Sequence, residues 1–541
     1  MRNVMKGRRI SPLHVIASII IMLILLPSLM IVIQLFQPVT ESWIHIKTYL
    51  LKDYLINSIT LIFLVGGVTC LLGIFFAWSL SRYRWKYTKT LEILLFLPMA
   101  IPPYIGGYVY GGIFTSFGTL HRIMLTLGLK PIKIDILSMG GAVCVFSLFL
   151  MPYVMLVTKG FFNRLPKNIE ESSRLLGKSR FQTFYKIILP MSRGAIIGGV
   201  ILVALEVLND YGLVKYFGIP TFSTAIYTTW FGLSDVDGAI RLASSLMIIV
   251  IIILLVEQFF RGRGRLSQAK AVPDLGTKKA APIGYKILFY IVGTIYLLLS
   301  LIIPVAQLIH WSTLAKDTVV LRNLDKILKN TLITAIIVTI VIIICSSIIG
   351  NLNRLHSGII TKIYARIVIV GYSIPASIIA IAVLVFFIAA DRNLGGIYGF
   401  FGLKNLFLTS SVFMLIFALT IRFMAIGYNS VESGFSKMGL KYYEASKLLG
   451  KGEWHTFTKV DLPILKPAII SAMILTFVDV LKELPLTLIL RPFNFDTLAT
   501  KVYTYANDEM IHEGSIYALM IIGVSTLALV FLLGFRKEKA E

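Results

Sequence analysis

The chain has 541 residues, 57% of them hydrophobic and only 15% charged, with a mean hydropathy of +0.83. A soluble globular chain carries about 25% charged residues, so a water-soluble enzyme or binding module is excluded. The formal net charge of +25 would suggest a nucleic-acid ligand in a soluble protein; its distribution along this chain points to a lipid bilayer and to no nucleic acid.

Crossing a hydrocarbon core takes roughly 20 helical residues, and the run from Leu13 to Phe36 is long enough. Its basic flank (Arg2, Lys6, Arg8, Arg9) imitates a signal peptide. The apolar stretch is too long for one and no small-residue cleavage site follows, so it reads as an uncleaved first helix. Further runs predict spans near 55–80, 91–115, 136–158, 194–212, 239–260, 286–310, 328–350, 364–390, 406–428, 467–490 and 514–535. They are assigned as helices because lipid-exposed backbone must satisfy its own hydrogen bonds. The fold class is therefore an all-α polytopic membrane protein of about twelve helices. With a cytoplasmic N-terminus, the inward loops hold 35 Lys and Arg and the outward loops 13. This asymmetry predicts both termini in the cytoplasm. Cys70, Cys144 and Cys345 fall inside spans without metal-type spacing and read as buried thiols.

A shift of 273 residues lays the second half on the first: Asn57 on Asn330, Ile101-Pro102 on Ile374-Pro375, Glu171 on Glu444, Asp210 on Glu483. One offset held over such a length marks an internal repeat. Two copies of six spans run the same way through the membrane, a parallel repeat about an axis along the membrane normal. The division is 1–260, a basic Gly/Pro-bearing cytoplasmic linker at 261–285, and 286–541.

The longest inward loop of each copy carries one motif. The first copy reads IEESSRLLGKSRFQTFYKIILP, Ile169 to Pro190, and the second YYEASKLLGKGEWHTFTKVDLP, Tyr442 to Pro463. Glu171, Gly177, Leu189 and Pro190 recur as Glu444, Gly450, Leu462 and Pro463. The pattern predicts a short helix, a left-handed glycine cap, then a second short helix running to the proline. Such an elbow suits docking on a partner. The Gly-Lys-Ser at 177–179 imitates a phosphate-binding loop, but Ser172 and Ala445 stand where that loop needs its first glycine. ATP binding by this device is therefore not expected.

The fifth span of each copy supplies intramembrane acids, Glu206 with Asp210 and Asp479 with Glu483. Each pair is four apart on one helix face, and such residues are expensive enough in a membrane to mark a cargo path. Lys482 within reach of Asp479 would instead leave some of these charges bracing the packing, and helix ends before Gly212 and Pro485 would leave the lower acids near water. No metal site is assigned. Asn57, Asn330 and the prolines 102, 103 and 375 mark polar or kinked span positions, and Gly194 with Gly198 a close-packing stripe. Arg422 reads as an interfacial anchor.

The duplicated elbow resembles the EAA loop of ABC importer permeases, with Ser172-Ser173 and Ala445-Ser446 in place of the two alanines. The resemblance implies two type-1 permease domains, at about 54–260 and 327–535, in the bacterial inner membrane. It also implies coupling loops gripped by two copies of an ABC ATPase that carry ATP and Mg, no cofactor on this chain, and a solute-binding protein. Within that family the stretches Asn209-Asp210-Tyr211-Gly212, Tyr216-Phe217-Gly218, Pro220-Thr221-Phe222, Lys482-Glu483-Leu484-Pro485 and Leu488 to Asp496 are similar to the ferric-iron branch. That likeness implies an iron-binding delivery protein. Permeases of the same build for thiamine, polyamines or phosphonates, and an ion-gradient-driven transporter, stay open.

Overall fold

The computed structural model describes residues 12–535 apart from 35, 37, 117, 133, 166–167, 263–278, 316–317, 357 and 401–405. Among the described residues the only strands are Tyr83–Arg84 and Lys279–Ala280, which pair in parallel. Ten helices there are long and apolar enough to cross a membrane. A bent pair, Thr88–Ala100 with Pro103–Thr126, makes up to eleven, and a shorter apolar helix covers Leu13–Pro27. The polytopic all-α class of about twelve helices holds.

The expected spans 91–115 and 364–390 are each broken at one repeat position. Thr88–Phe96 tightens into a 3-10 turn at Leu97–Ala100, stops, and resumes at Pro103–Phe114, with a bend of 84° across the pair. In the second copy Ile359–Ser373 stops before Pro375 and Ala376–Phe400 follows. The physical reason is shared. A residue before proline is pushed out of the helical region, and Ile101 (φ −95°, ψ 112°) and Ile374 (φ −77°, ψ 125°) are both extended.

The fifth spans run the other way. They start earlier than expected, at Arg180 and Glu453, and reach Asn209 and Leu481 as continuous rods. Each rod passes its Leu-Pro through a π turn, Phe184–Ile188 or Phe457–Asp461. That wider turn accommodates a ring that cannot donate a backbone bond. The second limb of each elbow therefore does not end at the proline; it is the membrane helix itself. The glycine contact also falls elsewhere: Gly194 faces open space, whereas a Cβ on Gly199 would meet the Val154 Cα at 2.9 Å.

The chain forms two compact units, drawn differently from the repeat. One comprises Thr40–Asp317 and Val502–Thr526; the other Met1–Val39, Thr318–Lys501 and Leu527–Glu541. In the second, Ala17 and Ile21 of helix Pro12–Gln34 sit in a core with Ile349, Val368 and Tyr428, and Ser18 Oγ lies 2.7 Å from the Tyr364 hydroxyl. In the first, helix Ile283–Leu297 stacks Phe289 on Trp85 with centroids 3.9 Å apart, and Tyr296 donates to the Leu148 carbonyl at 2.9 Å. The leading helix of each copy thus belongs to the unit carrying the other copy's body. Most of the linker at 261–285 lies outside the described residues.

Candidate functional site

Both elbows have one construction. The first limb, Asn168–Leu175 or Lys441–Leu448, ends at a glycine in the left-handed region, Gly177 (φ 76°) or Gly450 (φ 72°). The chain is then locked by paired backbone bonds. Gly177 N donates to Arg174 O at 3.0 Å and Lys178 N to Ser173 O at 3.1 Å, and Gly450 and Lys451 repeat them to Lys447 and Ser446 at 3.0 and 3.1 Å. This double closure is the Schellman cap. It turns the expected left-handed stop into a rigid corner.

A second clasp crosses the corner. Ser173 Oγ and Thr183 Oγ1 lie 2.8 Å apart, and Ser446 Oγ and Thr456 Oγ1 2.7 Å apart, all four side chains buried. Ser173 and Ser446 read from sequence as small stand-ins for alanine, and the threonines were missed. The 273 offset pairs both residues and was the available signal. Outside the clasp, the tips are bare and apolar: Leu175 is 88% and Leu448 89% exposed, with Leu176, Leu449 and the repeat pair Phe181 and Trp454 exposed beside them. Glu171 and Glu444 are also exposed.

Beneath the second elbow lies a buried ion pair. Arg354 Nη1 donates to Asp461 Oδ1 at 3.1 Å, and Nη2 contacts the other carboxylate oxygen and Asn351 Oδ1. Their side chains are 5% and 1% exposed, so the pair pins the elbow's second limb to helix Thr318–Leu355. The first copy has Ser81 and Ile188 at these repeat positions, and there Trp78 packs between Phe162 and Phe184, centroids 5.2 and 4.9 Å away.

The four intramembrane acids divide by role. The helices end at Asn209 and Leu481, so Asp210 and Glu483 lie at the break rather than on one face with Glu206 and Asp479. Both are buried caps of the short helix that follows. Asp210 Oδ1 accepts from Leu213 N at 2.8 Å, at the start of Gly212–Tyr216. Glu483 accepts from Leu486 N at 2.8 Å, Thr487 N at 3.0 Å and Thr487 Oγ1 at 2.7 Å, at the start of Pro485–Leu490. Asp479 pairs with Lys482 at 2.8 Å. Glu206 is half-buried. Among the described residues no three His, Cys, Asp or Glu side chains are grouped to hold a metal. Arg422 is not an interfacial anchor: it sits 5% exposed within Val412–Met438, where its charge acts on Glu483.

The polar span positions are latches on the next connection. Asn57 Nδ2 donates to Pro220 O at 3.0 Å and Phe222 N to Ser58 Oγ at 3.3 Å; Asn330 Nδ2 donates to Asp496 O at 3.3 Å and Leu498 N to Thr331 Oγ1 at 2.9 Å.

Two segments of this chain, 69–262 and 342–536, match the family described as the binding-protein-dependent transport system inner membrane component. Their starts are one repeat apart, and each contains an elbow with its fifth span. The chain belongs to this family. It is a multi-pass permease of the inner membrane, with the family's domain present twice. The chain is 25% identical over 487 residues to the Fe(3+)-transport system permease protein FbpB 2 of Haemophilus influenzae, covering 89% of this permease and 90% of that protein. A putative ferric transport system permease protein, FbpB 1, of the same organism is 24% identical, over 88% of this chain and 77% of its own. The sulfate transport system permease protein CysT of Escherichia coli is 26% identical over 254 residues, 44% of this permease and 89% of that protein.

Proposed function

We propose that the chain is the permease subunit of an ATP-driven importer of ferric iron. A solute-binding protein delivers the iron from outside, and two copies of an ATPase subunit grip the elbows from inside. The observation that carries the reading is the pair of rigid corners whose Leu-Leu tips stand bare in basic loops of the chain. Basic loops face the cytoplasm, which puts both elbows and both termini there. An exposed apolar knob beside charged residues marks a protein docking surface. ATP and Mg belong to the partner, because Ser172 and Ala445 replace the glycine that a phosphate-binding loop needs. No cofactor is assigned to this chain.

Coupling follows from the rods. Each docked tip joins, across a clasped corner, a helix running from Arg180 to Asn209 or from Glu453 to Leu481. A displacement at the tip therefore reaches Asp210 or Glu483 without a flexible joint, and these acids hold the short helices beyond. Glu206 remains the acid assigned to meet cargo; Asp479 is held by Lys482, and Asp210 and Glu483 shape the path.

Iron as cargo rests on the two Haemophilus relatives, which align over nearly the whole chain. Sulfate is the second reading, favoured by the Escherichia coli relative. The test is reconstitution of the permease with its copurifying ATPase and binding protein in vesicles, measuring ATP-dependent uptake of radiolabelled ferric iron and sulfate. Iron uptake is expected, together with loss of both uptake and ATPase copurification in the double variant Leu175→Asp, Leu448→Asp. Iron uptake by that variant, or by the permease stripped of ATPase, overturns the reading; sulfate uptake alone moves the cargo to the second one.

A further inference from the structure

Tyrosine gathers beside Asp210 in the unit that carries the first copy. The Tyr211 and Tyr503 hydroxyl oxygens lie 3.1 Å apart, and the Tyr108 and Tyr216 rings meet edge to face with centroids 4.9 Å apart. Tyr108 lines one small cavity with Val502 and Ala506 of helix Leu498–Asn507, which carries Tyr503. Tyr108 is 5% exposed, yet its hydroxyl has no hydrogen-bond partner among the described residues. An unbonded buried hydroxyl costs free energy, so packing alone is a poor reason to keep it.

The repeat supplies the control. The positions of Tyr108, Tyr211 and Tyr216 are Ile381, Leu484 and Ile489 in the second copy. There Ile381 and Leu484 are buried and Ile489 packs against the apolar core. The same fold therefore packs at these positions without hydroxyls. What the first copy adds is the oxygens of Tyr108 and Tyr211, which meet Tyr503 of the second copy, whose own repeat position is Trp230.

Resting on the ferric reading above, we propose that Tyr108, Tyr211 and Tyr503 bind the trivalent cation in transit. Hard cations select oxygen ligands. Neighbouring oxygens on a small octahedral ion bonded at about 2.0–2.1 Å lie about 2.9 Å apart, close to the Tyr211–Tyr503 separation. Each phenol that binds gives its proton to a hydroxide on the hydrolysed ferric ion. That hydroxide leaves as water, one iron–oxygen bond replacing another with no change of oxidation state.

The test uses the full permease–ATPase complex with its binding protein. Ferric nitrilotriacetate added to the complex is expected to give the visible phenolate-to-iron charge-transfer band, absent with gallium(III). Tyr108→Phe and Tyr211→Phe should weaken that band and lower iron uptake about tenfold or more, the scale of losing a metal-site interaction. Tyr296→Phe, buried elsewhere in the unit, is the control and keeps both. Iron uptake without a band, or with normal uptake by the Phe variants, overturns the tyrosine site and leaves the ferric reading standing. A wild-type complex that moves sulfate but not iron overturns both.

Discussion

Gly177 and Gly450 occupy backbone that an L-residue adopts at a penalty of about 1–2 kcal/mol, yet a Cβ there would meet open space. Gly177→Ala should therefore fold and insert, while its first limb frays by that amount. Amide hydrogen exchange confined to 168–178 would measure it. Arg354 and Asp461 present the opposite case. Removing one partner of a buried pair leaves an uncompensated charge, worth about 3–5 kcal/mol. Arg354→Met alone should lower the melting temperature in detergent far more than Arg354→Met with Asp461→Leu, which replaces the pin with apolar contact. Equal losses in the two variants would show that the pair does not act as a unit.

At the scale of elements, each fifth span is a rod that begins in the cytoplasmic elbow and ends at a capped break. Pro190 and Pro463 enter through π turns rather than stopping the helix. The caps at the far end are carboxylates, and losing such a cap costs about 1 kcal/mol. Asp210→Ala should loosen Gly212–Tyr216, whereas Asp210→Asn keeps an acceptor for Leu213 N. If the acid only shapes the path, the asparagine variant retains most ATP-dependent uptake and the alanine variant loses it. Equal loss in both would give Asp210 a charge-dependent role. The clasp is the other element-scale device: Ser173→Ala with Thr183→Val should uncouple ATP hydrolysis from transport while the ATPase still copurifies.

For the whole molecule, the exchange of leading helices sets what can fold alone. Fragment 1–260 carries Pro12–Gln34 but lacks Ile283–Leu297, which supplies Phe289 and Tyr296 to its own unit. Expressed alone, it should accumulate poorly in the membrane. Coexpression with 271–541 should restore both fragments, since each supplies a helix that the other's unit needs. Quantitative immunoblots of membranes from the single and paired strains would measure this.

Composition and apolar run length alone determined a polytopic helical protein, because a bilayer admits few other structures from such a chain. The repeat was legible because both copies keep one register, and the glycine corners because only a left-handed cap explains Leu-Leu-Gly at that place. The fate of the four acids was not. Whether a carboxylate faces cargo or caps a helix turns on where the helix ends, and a shift of one residue at Asn209 decides it. The Ser173–Thr183 clasp, the Arg354–Asp461 pin and the tyrosine group join residues far apart in sequence or on different helices. Their partners are set by how helices pack, which spacing along one chain does not encode. The same holds for the leading helices: nothing local in Leu13 to Phe36 says which copy it joins, and only tertiary packing placed it with the second.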